Sequence, residues 1–312
     1  MVRCSKCDQE AVTFIRYNGS HLCPGHFREY VERRVKKELR GQVDLKDTKK
    51  IAVAASGGKD SLAALLLVHD IVGERRDIEI HAITVNEGIE GYRPEAMEKV
   101  RALCRQLNIS HHVISFQEEL GLDMDGISDL LGERTPCAYC GVFRRRCMNK
   151  VARDIGADVL ATGHNLDDMA QAVLMNFTRG DVERLARLGP HVKVQPGLVP
   201  RIHPLRQIPE KEVYLYALLR GVDFHESTCP YWEAALRNEY RDIIDSMEAR
   251  SPGTKHSILS SYDAIRPMLR ERYPQSDLER CSCGEPSPSG RCMACAMLDE
   301  LKKRKEQGKE VC

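Results

Sequence analysis

The sequence predicts an α/β fold with a doubly wound parallel sheet at its centre and a zinc-binding module near each end of the chain. Three observations support this prediction. Apolar, β-prone runs alternate with helical patterns through the middle of the chain, a glycine turn joins one such run to a helix, and cysteine pairs lie near both termini. Strand–helix alternation is typical of parallel sheets that carry helices on both faces.

The alternating elements follow a regular order along the chain. The predicted strands cover residues 51–55, 78–85, 111–115 and 157–162. The predicted helices start at residue 62 and cover 95–107, 143–155 and 165–177. Ligands of such sheets bind outside the carboxyl ends of the strands. We therefore expect the segments 56–61, 85–86 and 162–165 to line one site.

The glycine turn at residues 56–61, SGGKDS, is the most informative motif of the chain. Its two glycines let backbone amides approach an anion, and the helix that follows adds the partial positive charge of its N-terminus. Lys59 can neutralise a phosphate, while Ser56 and Ser61 can donate hydroxyl groups. The spacing differs from the Walker A motif, which disfavours an ordinary P-loop NTPase. It resembles the PP-loop of the adenine nucleotide α-hydrolase-like ATP pyrophosphatases, which split ATP between the α and β phosphates and activate a substrate as its adenylate.

Residues 162–168, TGHNLDD, follow another predicted strand. Gly163 permits close approach of a nucleotide, and Asp167 or Asp168 can hold Mg²⁺ or position the substrate. The same residues could equally be the N-cap and first turn of a helix; their place beside SGGKDS favours a functional role. The predicted nucleotide-binding residues are Ala54, Ser56, Gly57, Gly58, Lys59, Asp60, Ser61, Val85, Gly163, His164 and Asp168.

Two groups of metal-ligand residues flank the central region, and each has the pattern of a tetrahedral zinc site. In both groups two close pairs are separated by a short turn-containing segment. The spacing of Cys281 and Cys283 by one residue departs from the usual two. The predicted zinc ligands are Cys4, Cys7, Cys23 and His26 in the first group, and Cys281, Cys283, Cys292 and Cys295 in the second.

Cys137, Cys140 and Cys229 form a third group of three thiols. Three thiolates are too few for a closed structural zinc site, but they suit a metal centre with one open position, such as an iron–sulfur cluster with one iron free for an exogenous ligand. The alternative is thiol chemistry, in which one cysteine carries a persulfide and another resolves it as a disulfide. A purely structural role is the third interpretation.

Composition and charge narrow the class of protein further. No apolar run approaches the length of a membrane span and the N-terminus is no signal peptide, so we expect a cytoplasmic protein without a membrane partner. The net charge is only +1, but basic residues cluster at 33–37, 144–146 and 302–305. Local basic patches bind phosphate even where the total charge balances, which favours a nucleic-acid partner.

These features in combination resemble the TtuA-type branch of the tRNA 2-thiolation enzymes over nearly the whole chain, with the TtcA enzymes as more distant relatives. The resemblance implies an ATP-dependent sulfurtransferase that adenylates the C2 oxygen of a tRNA uridine and replaces it with sulfur. It also implies a homodimer and an oxygen-sensitive 4Fe–4S cluster on Cys137, Cys140 and Cys229. Arg144 and Asp168 fall where the family has a catalytic basic residue and a catalytic acid. The sulfur donor, a ubiquitin-like carrier protein or sulfide, stays open.

The predicted domains are an N-terminal zinc finger with a basic helix (1–40), an ATP-binding catalytic domain (41–230), a helical segment (231–280) and a C-terminal zinc ribbon with a basic tail (281–312). Two other functions remain as alternatives. A PP-loop ligase that forms an amide would leave the three central cysteines without a role. A non-catalytic zinc-ribbon adaptor that binds RNA would leave SGGKDS without one.

Overall fold

The computed structural model describes residues 2–73, 75–132, 134–191, 195–232, 237–274 and 277–309. The strands are β1 (Thr13–Ile15), β2 (Ser20–Leu22), β3 (Lys50–Ala54), β4 (Glu79–Asn86), β5 (Ser110–Ser115), β6 (Val159–Ala161), β7 (Arg201–Ile202), β8 (Glu279–Arg280) and β9 (Pro286–Ser287). The helices are α1 (Pro24–Gln42), α2 (Lys59–Val72), α3 (Arg93–Leu107), α4 (Phe116–Leu120), α5 (Met124–Ser128), α6 (Pro136–Asp154), α7 (Leu166–Thr178), α8 (Val182–Arg187), α9 (Glu210–Leu219), α10 (Arg237–Arg250), α11 (Thr254–Arg272) and α12 (Met293–Lys309).

The central sheet has five parallel strands in the spatial order β5–β4–β3–β6–β7. The chain builds outward from β3 through β4 to β5, then returns to the other side of β3 to add β6 and β7. The order therefore reverses between β3 and β6, which is the point where doubly wound sheets bind their ligands. The loops that leave these two strands contain the SGGKDS and TGHNLDD motifs.

Both faces of the sheet are covered by helices, so the predicted doubly wound α/β fold is confirmed. Ile51 and Val53 of β3 point to one face, where they share a core with apolar residues of α2, α3 and α9. Ala52, between them, points to the other face and packs with Ala152 of α6. This alternation is the period of two that an extended strand imposes on its side chains.

The N-terminal module is a short antiparallel hairpin, β1 and β2, followed by α1. The predicted turn lies between the two strands, with Gly19 at φ +70°. Phe27 and Val31 on the inner side of α1 pack against Leu67 of α2 and Tyr216 of α9. The module is thus joined by apolar packing to the helix that begins at the SGGKDS loop.

The C-terminal part has two components. Helices α10 and α11 form a pair that packs on α7, with Leu259 and Tyr262 of α11 in one core with Leu166. The hairpin β8–β9 and helix α12 pack on α6, where Leu301 shares a core with Phe143. The last module therefore contacts the helix that carries the central cysteine pair.

The predicted element boundaries are close to those in the structure, with one informative difference. Helix α6 begins at Pro136, whereas the sequence pattern placed its start at Phe143. Proline at a first helical position is favourable because its missing N–H would be unpaired there anyway. Cys137 and Cys140 consequently lie on the first turn of α6. The division into four domains at 1–40, 41–230, 231–280 and 281–312 stays a prediction, and residues 310–312 of the last one lie outside the described part. No described helix is long and apolar enough to cross a membrane.

Candidate functional site

The SGGKDS loop turns sharply between β3 and α2. Gly57 has φ +93°, a region that other residues rarely adopt, and a Cβ atom at this position would collide with the backbone of Ala96. Gly58 is the N-cap of α2 and makes no side-chain cap. The amides of the first helical turn, from Lys59 to Ser61, lie ahead of any intrahelical acceptor. The loop is therefore shaped to present backbone N–H groups to an anion.

Ser61 holds this loop together instead of facing outward. Its hydroxyl donates to the Gly58 carbonyl at 2.9 Å and accepts from the Ser56 amide and the Ser56 hydroxyl, each at 3.0 Å. The side chain is buried. In this arrangement the hydroxyl of Ser61 serves the turn, and its contact with a nucleotide phosphate stays a prediction.

Lys59 extends from the same turn into a group of carboxylates. Its ammonium lies 3.0 Å from Asp60 Oδ2 and 2.6 Å from Glu210 Oε1. Burial works against the charged ammonium, but the two carboxylates outweigh it and raise the pKa of Lys59. Burial raises the pKa of Asp60. A polyphosphate that entered the loop would compete with Glu210 for this lysine.

The two strand ends are joined by direct contacts. Gly163 lies so close to α2 that a Cβ atom there would be 2.9 Å from the Asp60 carbonyl and the Ser61 nitrogen. Asn165 Nδ2 donates to Asp60 Oδ1 at 3.0 Å. Gly163 was predicted to allow close approach of a nucleotide; in the structure the close neighbour is the first turn of α2. The TGHNLDD loop therefore buttresses the SGGKDS loop.

The two aspartates of TGHNLDD have different roles. Asp167 is buried, contacts the Lys255 ammonium and accepts the amide of Glu210 at 2.8 Å, so it ties α7 to α9 and α11. Asp168 is part of a capping box with Asn165 and keeps Oδ1 3.1 Å from Arg237. The capping interpretation of Asp168 is confirmed, while its role toward Mg²⁺ or the substrate stays a prediction.

The three central cysteines come from two segments that meet at this edge of the sheet. Cys137 and Cys140 lie on the first turn of α6, and Cys137 Sγ lies 3.5 Å from the carbonyl oxygen of Tyr231 beside Cys229. The thiolate charges of Cys137 and Cys140 each interact with that of Cys229. Burial, before all other effects, raises the pKa of Cys140 to about 11.

The spacing of these three thiols differs from that of the outer sets. Among the described residues, the groups whose ligand atoms all lie within 4.8 Å of one another are the two outer ones. The central thiols, whose charges interact, are not among these groups. Ligands of a multi-iron cluster bind different iron atoms and are farther apart than the ligands of one zinc ion, so this arrangement suits a cluster.

A buried ion pair connects the SGGKDS loop to the central cysteines. Arg93, at the start of α3, donates to the Ser56 carbonyl at 3.0 Å and to the Val85 carbonyl at 2.5 Å. Its Nε lies 2.6 Å from Glu87 Oε2, and Glu87 Oε1 lies 3.7 Å from Arg144. Arg144 in turn interacts most strongly with Cys140, and this contact, opposed by burial, raises the pKa of the guanidinium.

The basic runs do not act as units. Arg144 faces Glu87, while Arg146 pairs with Glu119 at 2.9 Å and interacts with the C-terminal cysteines. Arg34, in the run at 33–37, donates to the hydroxyls of Tyr17 and Tyr30 and is largely buried. Arg146 and Arg34 are therefore held in structural networks, and the contact of the basic clusters with nucleic acid stays a prediction.

The N-terminal set converges as predicted. Three thiols surround His26 Nδ1, with Cys4, Cys7 and Cys23 Sγ at 3.4, 3.4 and 3.3 Å from it. Burial opposes ionisation of Cys4, but amide N–H groups, including that of Lys6 at 3.4 Å, lower the pKa of this thiol to about 6. Four soft ligands at tetrahedral separations can hold one Zn²⁺.

The C-terminal set also converges, despite the one-residue spacing of its first pair. Cys283 Sγ lies 3.6 Å from Cys292 Sγ, and all four ligand atoms of the set lie within 4.8 Å of one another. Gly284, at φ +85°, turns the chain back so that Cys281 can donate its amide to Glu285. The backbone amides of Cys283 and Cys292 lower the pKa of Cys281 to about 6.

Comparison with known proteins gives this geometry its context. Residues 28–247 match the PP-loop domain family, and residues 3–28 match the N-terminal LIM domain of the 2-thiouridine synthetase TtuA. The tRNA 2-thiolation protein NcsA of Haloferax volcanii is 36% identical, over 96% of this chain and 99% of that protein. The tRNA-5-methyluridine(54) 2-sulfurtransferase of Pyrococcus horikoshii is 32% identical, over 94% of this chain and 93% of that protein. This chain belongs to the PP-loop family of tRNA 2-thiolation proteins.

A solved structure of this PP-loop family supports the assignment. The U34-tRNA thiolase NcsA from Methanococcus maripaludis, determined with its 4Fe–4S cluster, superimposes with a TM-score of 0.82 at 36% identity, over 96% of this chain and 97% of that chain. The likeness extends from the N-terminal module to the C-terminal module. The predicted family membership is therefore confirmed along nearly the whole chain.

Several residues at this PP-loop site were not predicted from the sequence. Glu87 directly follows β4, so the strand-end rule could have identified it. Arg93 and His225 could not be identified in this way, because their contacts with the SGGKDS loop, at Ser56 and Gly57, join segments that are distant in sequence. The His225 amide donates to the Gly57 carbonyl at 2.9 Å, and its ring packs edge-on against Tyr92 with centroids 5.2 Å apart.

Proposed function

We propose that this protein is a tRNA uridine 2-sulfurtransferase. It uses ATP to adenylate the C2 oxygen of a uridine and replaces that oxygen with sulfur. The observation that carries the proposal is a chain of contacts from the PP-loop to the helix of the central cysteines: Arg93 donates to the Ser56 carbonyl and pairs with Glu87, and Glu87 faces Arg144 of α6. The names of the relatives, tRNA 2-thiolation proteins and 2-sulfurtransferases, support the same reaction.

ATP binds at the turn between β3 and α2 in this proposal. The amides of Gly57 to Ser61 and the ammonium of Lys59 neutralise the β and γ phosphates, which leave as pyrophosphate. The ends of β3 and β4, at Ala54 and Val85, flank the adenosine. His164, an exposed residue that follows β6, would contact the nucleotide from the TGHNLDD loop.

Mg²⁺ fits the acidic residues that follow β3 and β6. Asp60 and Asp168 lie close enough for Asp168 to raise the pKa of Asp60, after the larger effect of burial. Two like charges in one cavity are relieved by a divalent cation, and carboxylate oxygens are the ligands that Mg²⁺ prefers. Asp60 and Asp168 would hold the ion, which would neutralise charge on the departing pyrophosphate.

Cys137, Cys140 and Cys229 would hold a 4Fe–4S cluster. The separated positions of the three thiols fit such a cluster better than a single ion. A bound cluster with three protein thiolates supplies an iron with a free position for sulfide. The persulfide relay on the same cysteines stays the alternative, and it needs a reductant that resolves the disulfide after each turnover.

The reaction balances with hydrosulfide as the sulfur donor. The C2 oxygen attacks the α phosphorus while N3 loses its proton, and the bond to the β phosphate breaks. The sulfur of hydrosulfide then bonds to C2, its proton returns to N3, and AMP departs with the former C2 oxygen. We propose that Asp168 accepts the N3 proton and that Arg144 stabilises the negative charge of the incoming sulfur.

The partners follow from this assignment. We propose tRNA as the substrate and either sulfide or a ubiquitin-like carrier protein as the sulfur source. The cytoplasmic location is supported by relatives such as cytoplasmic tRNA 2-thiolation protein 1 of Xenopus laevis, 33% identical over 96% of this chain and 88% of that protein. The homodimer stays a prediction. An amide-forming ligase or an RNA-binding adaptor would leave part of the cavity unused.

The decisive experiment is anaerobic. Protein reconstituted with iron and sulfide is incubated with ATP, hydrosulfide and unmodified tRNA, and the digested nucleosides are analysed by mass spectrometry. We expect 2-thiouridine together with one AMP and one pyrophosphate per thiolated base. Release of ADP and phosphate, or the absence of any thiolated nucleoside, would contradict the proposal. If cluster-free protein with intact thiols works equally fast, the persulfide relay replaces the cluster.

The modified position can be read from the same product. Relatives of similar identity are named for different uridines, since one acts on U34 and another on 5-methyluridine 54. Digestion of the product with a sequence-specific ribonuclease separates the anticodon loop from the T loop. Mass spectrometry of the fragments then shows which of the two loops gained the mass of sulfur in place of oxygen.

A further inference from the structure

The ammonium of Lys59 is shared by two carboxylates that come from different parts of the fold. Asp60 is its neighbour at the start of α2, and Glu210 is the first residue of α9. Lys59 Nζ lies 2.6 Å from Glu210 Oε1 and 3.0 Å from Asp60 Oδ2. Two negative charges therefore face one positive charge at the turn that we assign to the phosphates of ATP.

The two carboxylates are held differently. Oδ1 of Asp60 also accepts a hydrogen bond from Asn165 Nδ2 at 3.0 Å, which fixes this carboxylate to the TGHNLDD loop. Among the described residues, Lys59 is the one that pairs with the Glu210 carboxylate, and the Glu210 side chain is 33% exposed. Glu210 can therefore leave the ammonium for water, whereas Asp60 is retained by its second contact.

The backbone at Glu210 is fixed independently of its side chain. Its amide donates to Asp167 Oδ2 at 2.8 Å, and the carbonyl of Ile208, two residues earlier, accepts the amide of Leu166 at 3.0 Å. Both contacts tie the start of α9 to the start of α7. The positive end of the α9 dipole favours a carboxylate in this turn whether or not it contacts Lys59. The side chain can therefore change its partner without movement of the helix.

We propose that Glu210 is a positioning residue that competes with polyphosphate for the ammonium of Lys59 and thereby promotes the release of pyrophosphate. The inference rests on the proposed function, because it takes pyrophosphate as a product formed at this turn. While the phosphates contact Lys59, the Glu210 carboxylate turns to water. When Glu210 pairs with Lys59 again, pyrophosphate loses the side-chain cation of the loop and leaves.

The charge of Glu210 makes this competition effective. A carboxylate beside a polyphosphate repels it, and for like charges about 4 Å apart near a protein surface the repulsion amounts to roughly a factor of ten or more in affinity. Tight binding of polyphosphate both before and after the chemical step would lower KM without raising kcat. Product release limits the turnover of many enzymes. A carboxylate that weakens the binding of polyphosphate therefore favours turnover over affinity.

The test compares wild-type protein with Glu210→Gln, which has nearly the same shape but no charge, and Glu210→Asp, which keeps the charge on a shorter side chain. Glu183→Gln is the matched control, because Glu183 is exposed on α8 and pairs with Arg187 at 3.0 Å. Isothermal titration calorimetry measures the affinities for pyrophosphate, ATP and AMP, both without and with Mg²⁺. Melting temperatures establish that each variant is folded.

We expect Glu210→Gln to bind pyrophosphate and ATP roughly tenfold more tightly than the wild type does. Its affinity for AMP, which lacks the β and γ phosphates, should be unchanged, as should all affinities of the control. Glu210→Asp should lie closer to the wild type than Glu210→Gln does. In the anaerobic thiolation assay, Glu210→Gln should show a lower KM for ATP, a lower kcat and stronger inhibition by added pyrophosphate. A role in stability alone would not tighten the binding of a ligand.

The opposite outcomes are distinguishable from one another. Unchanged or weaker binding of pyrophosphate by folded Glu210→Gln overturns the competition but leaves the proposed function intact. A loss of affinity confined to the measurements with Mg²⁺ assigns Glu210 to the metal ion and also overturns it. A wild-type protein that releases ADP and phosphate, or thiolates no tRNA, overturns the proposed function and with it the release step. The affinities for pyrophosphate then show separately whether Glu210 competes for Lys59.

Discussion

Glu87 Oε2 lies 2.6 Å from Arg93 Nε, and both side chains are only 4% exposed. The pair stands between two functional regions, because Arg93 donates to the Ser56 carbonyl and Glu87 faces Arg144. Burial of an ion pair is weak evidence for stability, since desolvation offsets much of the attraction. Its position between the PP-loop and the cysteine site indicates that it fixes the position of one relative to the other.

We predict that Glu87→Gln and Arg93→Met each destabilise the protein by about 3 to 5 kcal/mol, because each removes the nearest partner of a buried charge. The double variant removes both charges and should recover much of that loss. Thermal unfolding measures the effect on stability.

The double variant also separates stability from positioning. With a near-normal melting temperature it should still thiolate tRNA at least tenfold more slowly, since the Ser56 and Val85 carbonyls lose their donor and Arg144 loses its anchor. Wild-type activity in a stable double variant would show that the pair is only structural.

Lys59→Ala should abolish ATP binding without affecting tRNA binding. The ammonium is the side-chain cation at the PP-loop, and it is held there by Glu210 at 2.6 Å. Lys211→Ala is the control, because Lys211 is an exposed lysine on the adjoining helix α9. Isothermal titration calorimetry with ATP and anisotropy with tRNA measure the two affinities. Equal loss of ATP affinity in both variants would contradict a specific phosphate contact by Lys59.

The fold was predictable from the sequence because its signals are local. The apolar strand 51–55 and the glycines that follow it specify the strand–turn–helix unit between Lys50 and Val72. The outer metal sets were predictable for the same reason, as each ligand set lies within one short segment of the chain. In these cases the pattern of neighbouring residues determines the structure.

Contacts between distant segments were not predictable. Tyr17 donates to Glu212 at 2.7 Å across 195 positions of sequence, and this network removes Arg34 from the surface that its basic run suggested. The sequence shows which residues are charged, but not which carboxylate each cation meets. The sequence likewise does not show that Arg146, and not its neighbour Arg145, pairs with Glu119.

The two outer metal sets should have different effects on the central site. Cys281 and Cys292 share a core with Phe143 of α6, whereas Cys4 and Cys23 share one with Leu67 of α2. We predict two zinc ions per chain in the wild type and one in Cys7→Ser or Cys283→Ser.

The content of iron tests the difference between the sets. Cys283→Ser should retain less iron after reconstitution, because its module supports the helix that carries the central pair. Cys7→Ser should keep its iron and lose ATP affinity instead. Elemental analysis and visible spectra measure both quantities. Equal loss of iron in the two variants, or well-folded wild-type protein without zinc, would be incompatible with this division of roles.

The last prediction concerns the pH dependence of stability. Burial raises the pKa of Glu212 to about 7 from its usual 4.5, although its hydrogen bond from Tyr17 and the nearby Arg34 favour the carboxylate. The folded protein therefore binds a proton that the unfolded chain has released between pH 4.5 and 7. Stability from this group is present below that range and is lost as the pH rises through it.

Glu212→Gln removes this titration. The stability of the variant relative to the wild type should rise by roughly 1 to 3 kcal/mol between pH 5 and pH 8, as expected for a shift of about two pKa units. Glu29→Gln, at an exposed position on α1, is the control and should show no such trend. Melting temperatures at several pH values measure the difference. The opposite outcome is a stability difference between Glu212→Gln and the wild type that stays constant from pH 5 to pH 8. It would mean that Glu212 is ionised over this whole range, held as a carboxylate by Arg34 and the Tyr17 hydroxyl.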